Sequence, residues 1–482
     1  MKRLFSAVLF AALCMTVAAK PAKRDLRHVG MDYLDKSFAV YDSIQKRIHG
    51  FAEPGFREYR SSATLADFLE ENGFSVERGV AEIPTAFIAT FGSGSPVIGV
   101  MAEYDALPGL SQDTVSFRKP VGGMDYGHGC GHNLIGTASV AAGVSISRFL
   151  AASGLPGTIK VFGCPAEENG SGKAYMVMAG CFNGCDAVFD WHPSGGNRMQ
   201  TTPGLAIISA RFTFKGVSAH ASGAPWKGRS ALDGVEAFDY MMNMMREHIP
   251  PSARVHYVIT DGGKAPNVVP DQAQVLYYFR HPSGAEARKI FDRAVLAAEG
   301  AAMGTGTSME YEIMGGNYEI LINRSLAQII QDNLVRVGGL DLDSREREFI
   351  KELAANSGSK DPEKDLERMT TVVEKLGPPS SGGGSTDVGN VSQIVPVATL
   401  QVATTVSSAG MHTWQQTASG GTTIGTKALL NVARIYYLSA VDIYTDPARL
   451  GPVKEEFRSK RGEHPGFVPL TGNRKPPLDY RD

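Results

Sequence analysis

Apolar residues recur at helical spacing through Leu34, Phe38, Tyr41, Ile44 and Ile48, and again at Leu65, Phe68 and Leu69, where Ser61 and Ser62 are candidate caps and Asn72-Gly73 the stop. Short continuous apolar runs of β character follow at Pro96 to Ala102, Thr158 to Gly163 and Asp186 to Trp191. A helix rich in small residues, Ile135 to Ala152, lies between the first two. Strands alternating with helices predict an α/β domain with a mostly parallel sheet covered on both faces. From about Gly204 the pattern changes to alternating strands near Leu205 to Phe214, Arg254 to Thr260 and Gln274 to Arg280, with helices near Ala231 to His248 and Ala285 to Ala302. That block reads as a separate α+β unit inserted into the first domain. Beyond it come a charged helical stretch (Asp341 to Glu374), a Gly/Ser-rich loop (Ser380 to Ser385) and a strand near Val397 to Val402. The expected organisation is a leader over 1–19, one domain built from 20–203 and 317–482, and an inserted unit over 204–316. No segment after the leader is expected to be long and apolar enough to be a transmembrane helix.

The leader reading rests on Lys2 and Arg3 before an apolar run ending Val17-Ala18-Ala19, the plan of a secretory signal peptide. The run is shorter than the roughly 20 residues a membrane helix needs, so the mature chain is expected to be periplasmic or secreted. Composition narrows the partners. With 48 basic against 50 acidic residues, a formal charge of −2 and no basic block, the chain lacks the charge pattern of a nucleic-acid or anionic-membrane binder. A small molecule is the expected partner. Five scattered cysteines are too few for a disulfide scaffold, although Cys181 and Cys185 could pair in an oxidising compartment. Gly382 to Gly384 has no following Gly-Lys-Ser/Thr, which argues against a phosphate-binding loop.

The candidate chemistry gathers after the strands. Asp105 follows the first, Glu167 and Glu168 the second, and His192 the third, and in open α/β sheets ligands bind outside the carboxyl ends of the strands. In Gly127-His128-Gly129-Cys130-Gly131-His132, a thiol and an imidazole stand two residues apart among glycines that let the backbone bend around an ion. Sulfur with imidazole suits zinc or another late first-row metal. The adjacent carboxylates Glu167 and Glu168 point different ways, so one can bind metal while the other holds a proton. His412, in Gly410-Met411-His412-Thr413, adds another imidazole. Cys130, His132, Glu168, His192 and His412 are more ligands than one tetrahedral ion needs, which favours two divalent ions about 3.5–4 Å apart. His128 reads as a neighbour, and His28, His49, His248, His256, His281 and His464 as structural or surface residues.

These segments resemble the M20 metallopeptidases, in particular the amidohydrolase branch that includes aminoacylases and the p-aminobenzoyl-glutamate hydrolase group. The resemblance runs from about Asp42 onward. It is carried by His49 to Phe56, Ala102 to Gln112 (AEYDALPGLSQ), Gly262 to Asp271 (GGKAPNVVPD) and Gly466 to Leu470 with Pro476-Pro477. It implies ligation by Cys130, His132, Glu168, His192 and His412, zinc or manganese as the metal, and Glu167 as catalytic base. The inserted unit is implied to be a lid that forms a homodimer, with His220 reaching the neighbouring subunit's site to steady the tetrahedral intermediate. Asn267 and Arg280 match substrate-contacting lid positions. The branch has Asp where Asn133 stands; the carboxylate that clamps a ligand histidine is therefore expected to be Asp105 or Asp387. The implied reaction is amide hydrolysis of N-acyl amino acids, aminobenzoyl-glutamate-like conjugates or dipeptides. Two further readings remain open at this point: a subunit acting with a homologous companion, and a catalytically silent ligand-binding homologue.

Overall fold

The computed structural model describes residues 26–462 and 467–479, so the proposed leader and His464 lie outside the described residues. A seven-stranded sheet forms the larger layer. Its order is Ser75–Arg78, Phe87–Ser93, Gly157–Gly163, Val97–Ala102, Ala187–Ser194, Val397–Ala403 and Arg198–Met199. The four strands from Gly157–Gly163 to Val397–Ala403 are mutually parallel, and each strand outside them pairs antiparallel with its neighbour. The three apolar runs read from the sequence are the middle of this sheet. The two strands before Val97 carry no comparably continuous apolar run, because they lie toward an edge: Ser75–Arg78 buries no residue and Phe87–Ser93 buries only Phe87 and Ala89.

The first helical stretch is two helices, His28–Lys36 and Phe38–Phe51, broken at Ser37, whose hydroxyl bonds back to the Tyr33 carbonyl at 2.7 Å. Ser61 and Ser62 do not cap the next helix. Tyr59–Glu71 begins before them, and Ser61 is buried with its hydroxyl donating to Glu53 at 2.7 Å. The small-residue helix spans His132–Ser153. It is long and apolar enough to cross a bilayer, contrary to the expectation from sequence, but nearly all of it is buried within the fold. Small residues let it sit close to its neighbours: a side chain at Gly143 would meet the Val161 methyl at 2.5 Å. The helix Thr423–Thr445 packs beside it, and both contribute to one core with Ile98, Val100, Ile159, Val161 and Phe189 of the sheet.

Residues 206–317 build a second, four-stranded antiparallel sheet in the order Arg254–Asp261, Gln272–His281, Ala206–Lys215, Ser308–Asn317. Helices Ala231–Met245 and Gly284–Thr305 cover one face, closing a separate core around Phe212, Phe214, Phe238, Tyr277 and Phe291. The last strand, mostly exposed over its first half and buried at its end, has no counterpart among the elements expected from sequence. Cys181 and Cys185 are free thiols, both partly buried, with burial pushing their pKa values up to about 11 and about 12.

The return to the large sheet is pinned by charge. Asn323 caps the helix Arg324–Val337, while the Glu456 carboxylate accepts the N–H groups of Arg324 (3.0 Å) and Ser325 (2.7 Å) and pairs with Lys460 (2.8 Å). Partial burial alone would raise its pKa. Lys460 and the two N–H groups outweigh that and hold it at about 2. Its stabilising contribution is therefore complete above the ordinary carboxylate value and is lost as pH falls toward 2. Glu456→Gln is expected to lower the melting temperature at pH 7 by about 2 °C. In scans from pH 7 to pH 3 the gap to wild type should narrow; a constant gap would assign the loss to packing rather than charge.

Candidate metal centre

Each candidate residue is placed by a local backbone choice. Gly131 adopts φ +81°, and a side chain there would strike Pro193 and Gln416 at 2.7 Å. That turn lets Cys130 and His132 face the same space, with His132 opening the buried helix. Ala166 takes φ +55°, its N–H held by the buried Glu58 carboxylate at 2.8 Å, and the turn launches the short helix Glu167–Gly170. His412, at φ +60°, is tied by its N–H to the Gly129 carbonyl at 2.9 Å. His192 lies within a strand rather than after it, since Ala187–Ser194 continues by pairing with Val397–Ala403, His192 opposite Gln401.

The side chains form two groups of possible metal donors that share one thiol: Cys130, His132 and His192, and Cys130, Glu168 and His412. Within each group the donor atoms lie inside 4.8 Å of one another. A third such group joins Glu103, His132 and Glu167. His132 is buried with Nδ1 on Asp105 Oδ1 at 2.8 Å, and Asp105 Oδ2 accepts the Glu168 N–H at 2.9 Å. Asp105 thus orients one candidate ligand side chain and braces the backbone of another. Asp387, the alternative clamp, contacts no ligand histidine; its carboxylate takes the Lys173 ammonium at 2.6 Å and the Lys173 N–H at 2.9 Å.

Burial opposes ionisation of Cys130, but His132, His192 and His412 surround it and hold the thiol well below its ordinary pKa. Burial likewise opposes charging of His192, yet Glu103 and Cys130 push it up to about 10. Hydrogen bonds to Cys130 and Glu168 raise His412 to about 10, its Nε2 standing 3.2 Å from Glu168. A thiolate among imidazoles and carboxylates is a donor set for a borderline-soft divalent cation. Glu103 Oε2 and His132 Nε2 are buried without a hydrogen-bond partner, an arrangement that a cation between them would satisfy.

The centre opens on a cavity of about 620 Å³ lined also by Arg198, Gln200, Glu374, Gln401 and the loop from Ser380 to Ser385. Arg280 lies beside that loop, donating to Ser385 Oγ at 2.8 Å, so it links the inserted unit to the cavity wall. His220 and Asn267 are exposed on the inserted unit and do not line this cavity. They neighbour each other, the Ala221 N–H bonding the Asn267 carbonyl and His220 bridging Val268. His128 bonds the Ile48 carbonyl at 3.1 Å, and Asn133 bonds Gln45 at 2.9 Å, so both serve packing. Two residues of the site, Glu103 and Lys173, are not among those expected from sequence. Glu103 had a signal, since it stands two residues before Asp105 on the chain leaving the Val97–Ala102 strand. Lys173 had none, lying in the otherwise apolar or small run Gly172–Met178.

Donors of this kind at the carboxyl ends of a parallel sheet, with further buried carboxylates beside them, define a metallohydrolase. The chain belongs to peptidase family M20/M25/M40, whose sequence model matches residues 99–415. It is 38% identical to one of the subunits of p-aminobenzoyl-glutamate hydrolase of Escherichia coli over 92% of this chain and 97% of that protein. It is 30% identical to human Xaa-Arg dipeptidase over 89% and 91%. Among solved structures, a dinuclear metal-binding M20 peptidase of Bacillus subtilis superposes with a TM-score of 0.55 at 20% identity, covering 86% of this chain and 99% of that one, which establishes the shared fold.

Proposed function

We propose that this chain hydrolyses the amide bond of small N-acyl amino acids, aminobenzoyl-glutamate-like conjugates or dipeptides at a centre of two divalent ions, zinc or manganese. The observation that carries the reading is the pair of donor groups sharing Cys130, with Glu167 beside them in one cavity. Cys130, His132 and His192 would hold one ion and Cys130, Glu168 and His412 the other. When bound, such ions supply Lewis acidity, polarising an amide carbonyl and acidifying water. Glu167 takes the proton of the attacking water and returns it to the departing amine. His220 supplies a hydrogen bond to the oxyanion. Its Nδ1 accepts the N–H groups of Gly223 (3.1 Å) and Ser222 (3.3 Å), which leaves the ring proton on Nε2, facing outward as a donor.

His220 acts on the partner's centre in a homodimer formed through the lid. The strand Arg254–Asp261 supports this arrangement: it is a sheet edge, with Val258 and Ile259 exposed. Asn267 and Arg280 bind substrate from the lid, and the leader sends the chain to the periplasm or outside the cell. A second reading, action alongside a homologous companion chain, is favoured by the Escherichia coli relative, which is itself one subunit of a hydrolase. Retention of Glu167 and all five ligands speaks against a silent homologue.

The test is to purify the chain alone, load it with zinc or manganese, and assay N-acyl amino acids, aminobenzoyl-glutamate and dipeptides. Hydrolysis should appear with at least one class and vanish on chelation, returning with metal. Activity unaffected by chelation would remove the metal from the reaction. Turnover appearing only after a companion chain is added would establish the second reading.

A further inference from the structure

Three neighbouring strands of the large sheet are buried almost without exception. Ala187–Ser194 leaves only His192 partly exposed, Val397–Ala403 only Gln401, and Arg198–Met199 only Arg198. The register sets these three side by side, His192 opposite Gln401 and Gln401 opposite Arg198. Residues opposite one another share a face of the sheet. Asp190 and Thr399, the opposed pair two residues back, show this with a hydrogen bond of 2.9 Å between their side chains. A polar row therefore crosses the sheet from a candidate metal ligand to a guanidinium, and all three residues line the cavity of about 620 Å³.

Among the described residues Arg198 is the only lysine or arginine lining that cavity. Glu374 approaches its Nη1 only to 3.5 Å, the limit of a hydrogen bond, and the two side chains are 38% and 45% exposed. So loose and solvated a pair holds the guanidinium weakly. The planar fork of arginine is suited to a carboxylate taken by two parallel hydrogen bonds. The sheet sets its reach. Two strand spacings are about 9.5 Å, and subtracting a charge-assisted hydrogen bond of about 2.8 Å leaves roughly 6 to 7 Å from the His192 end of the row to the acid. An extended chain of about five bonds covers that span. The α-carboxylate of an N-acyl amino acid is three bonds from the acyl carbonyl and falls short; a glutamate side chain reaches.

We propose that Arg198 is a specificity-determining residue that binds a second carboxylate of the substrate, about five bonds from the scissile carbonyl. The inference rests on amide hydrolysis at this centre and names its preferred substrates, amides with an acid at that remove. Asn267 and Arg280 act from the lid, whereas Arg198 acts from the floor of the sheet. Either half of the amide can carry the acid, as an amino-acid side chain or as the end of the acyl group.

Metal-loaded protein is assayed on N-acetyl-glutamate against N-acetyl-glutamine, and on N-glutaryl-alanine against its terminal amide. In one pair or the other the acid should show a kcat/KM at least about tenfold higher. Arg198→Met should bring that ratio to within about threefold, through KM. Arg198→Glu should turn the preference toward an ammonium at the same position, in N-acetyl-lysine or N-(5-aminopentanoyl)-alanine, a gain that misfolding cannot produce. Equal rates on acid and amide in both pairs, or a preference that survives Arg198→Met, would overturn the proposal and leave amide hydrolysis standing. Calorimetric titration with glutamate against glutamine, and with glutarate against its monoamide, reads the same contact without turnover. If no amide is cleaved, the hydrolytic reading fails and the titrations still decide the contact. An acid preference lost in Arg198→Met would uphold it, and no preference in wild type would remove it.

Discussion

Replacing Glu167 with alanine is expected to lower kcat by about 10³-fold or more while the protein keeps its full metal content. The two glutamates that follow the Gly157–Gly163 strand are adjacent in sequence and differ in surroundings. Glu168 is drawn to His412 at 3.2 Å, whereas Glu167 approaches His132 only to 4.0 Å. Burial, with Glu103, Glu168 and Asp387 close by, holds the Glu167 carboxyl well above the ordinary carboxylate range. A carboxyl in that setting retains a proton taken from water long enough to deliver it to an amine, which a surface carboxylate near pKa ~4 does poorly. Glu168→Ala should behave differently, losing an ion along with activity. Metal analysis of the two variants decides the matter: retention in Glu168→Ala with loss in Glu167→Ala would reverse the roles.

His220→Ala and Glu167→Ala should each be nearly inactive, and mixing them under conditions that exchange subunits should restore turnover. His220 does not line the cavity of its own chain, yet its ring is set by two backbone N–H groups to offer an outward donor. In a mixed dimer one centre combines Glu167 of one chain with His220 of the other, while the second centre lacks both. Random exchange makes half the dimers mixed, so about a quarter of wild-type activity should return. Mixed dimers detected by native mass spectrometry without returning activity would place the action of His220 within its own chain or outside the chemistry altogether. A chain that stays monomeric at assay concentrations would remove the trans arrangement.

Along the chain, the three apolar runs at Val97, Gly157 and Ala187 were legible because a central parallel strand is buried on both faces and must be apolar throughout. Glu167, Glu168 and His192 were legible for a related reason, since polar residues at the ends of such strands stand at the ligand-binding edge of the sheet, whereas Cys130 and His132 were legible through a thiol and an imidazole two residues apart among glycines. His412 was legible only through its glycine-flanked segment and the family resemblance, since nothing local ties it to Cys130 and His132 far earlier in the chain. The edge strands Ser75–Arg78 and Phe87–Ser93 escaped because half-exposed strands carry a weaker signal. The break at Ser37 escaped because the apolar spacing runs through it unchanged.

Tertiary structure alone decided how the charges are shared. Asp105 and Asp387 were equal candidates for the histidine clamp, and only the fold showed one on His132 and the other on Lys173. Sequence determined which residue types reach the edge of the sheet, because burial and strand period act over a few residues. Which carboxylate meets which cation depends on distances of about 3 to 4 Å between segments up to 214 residues apart, as from Lys173 to Asp387, and those are set only when the distant segments of the large domain pack together.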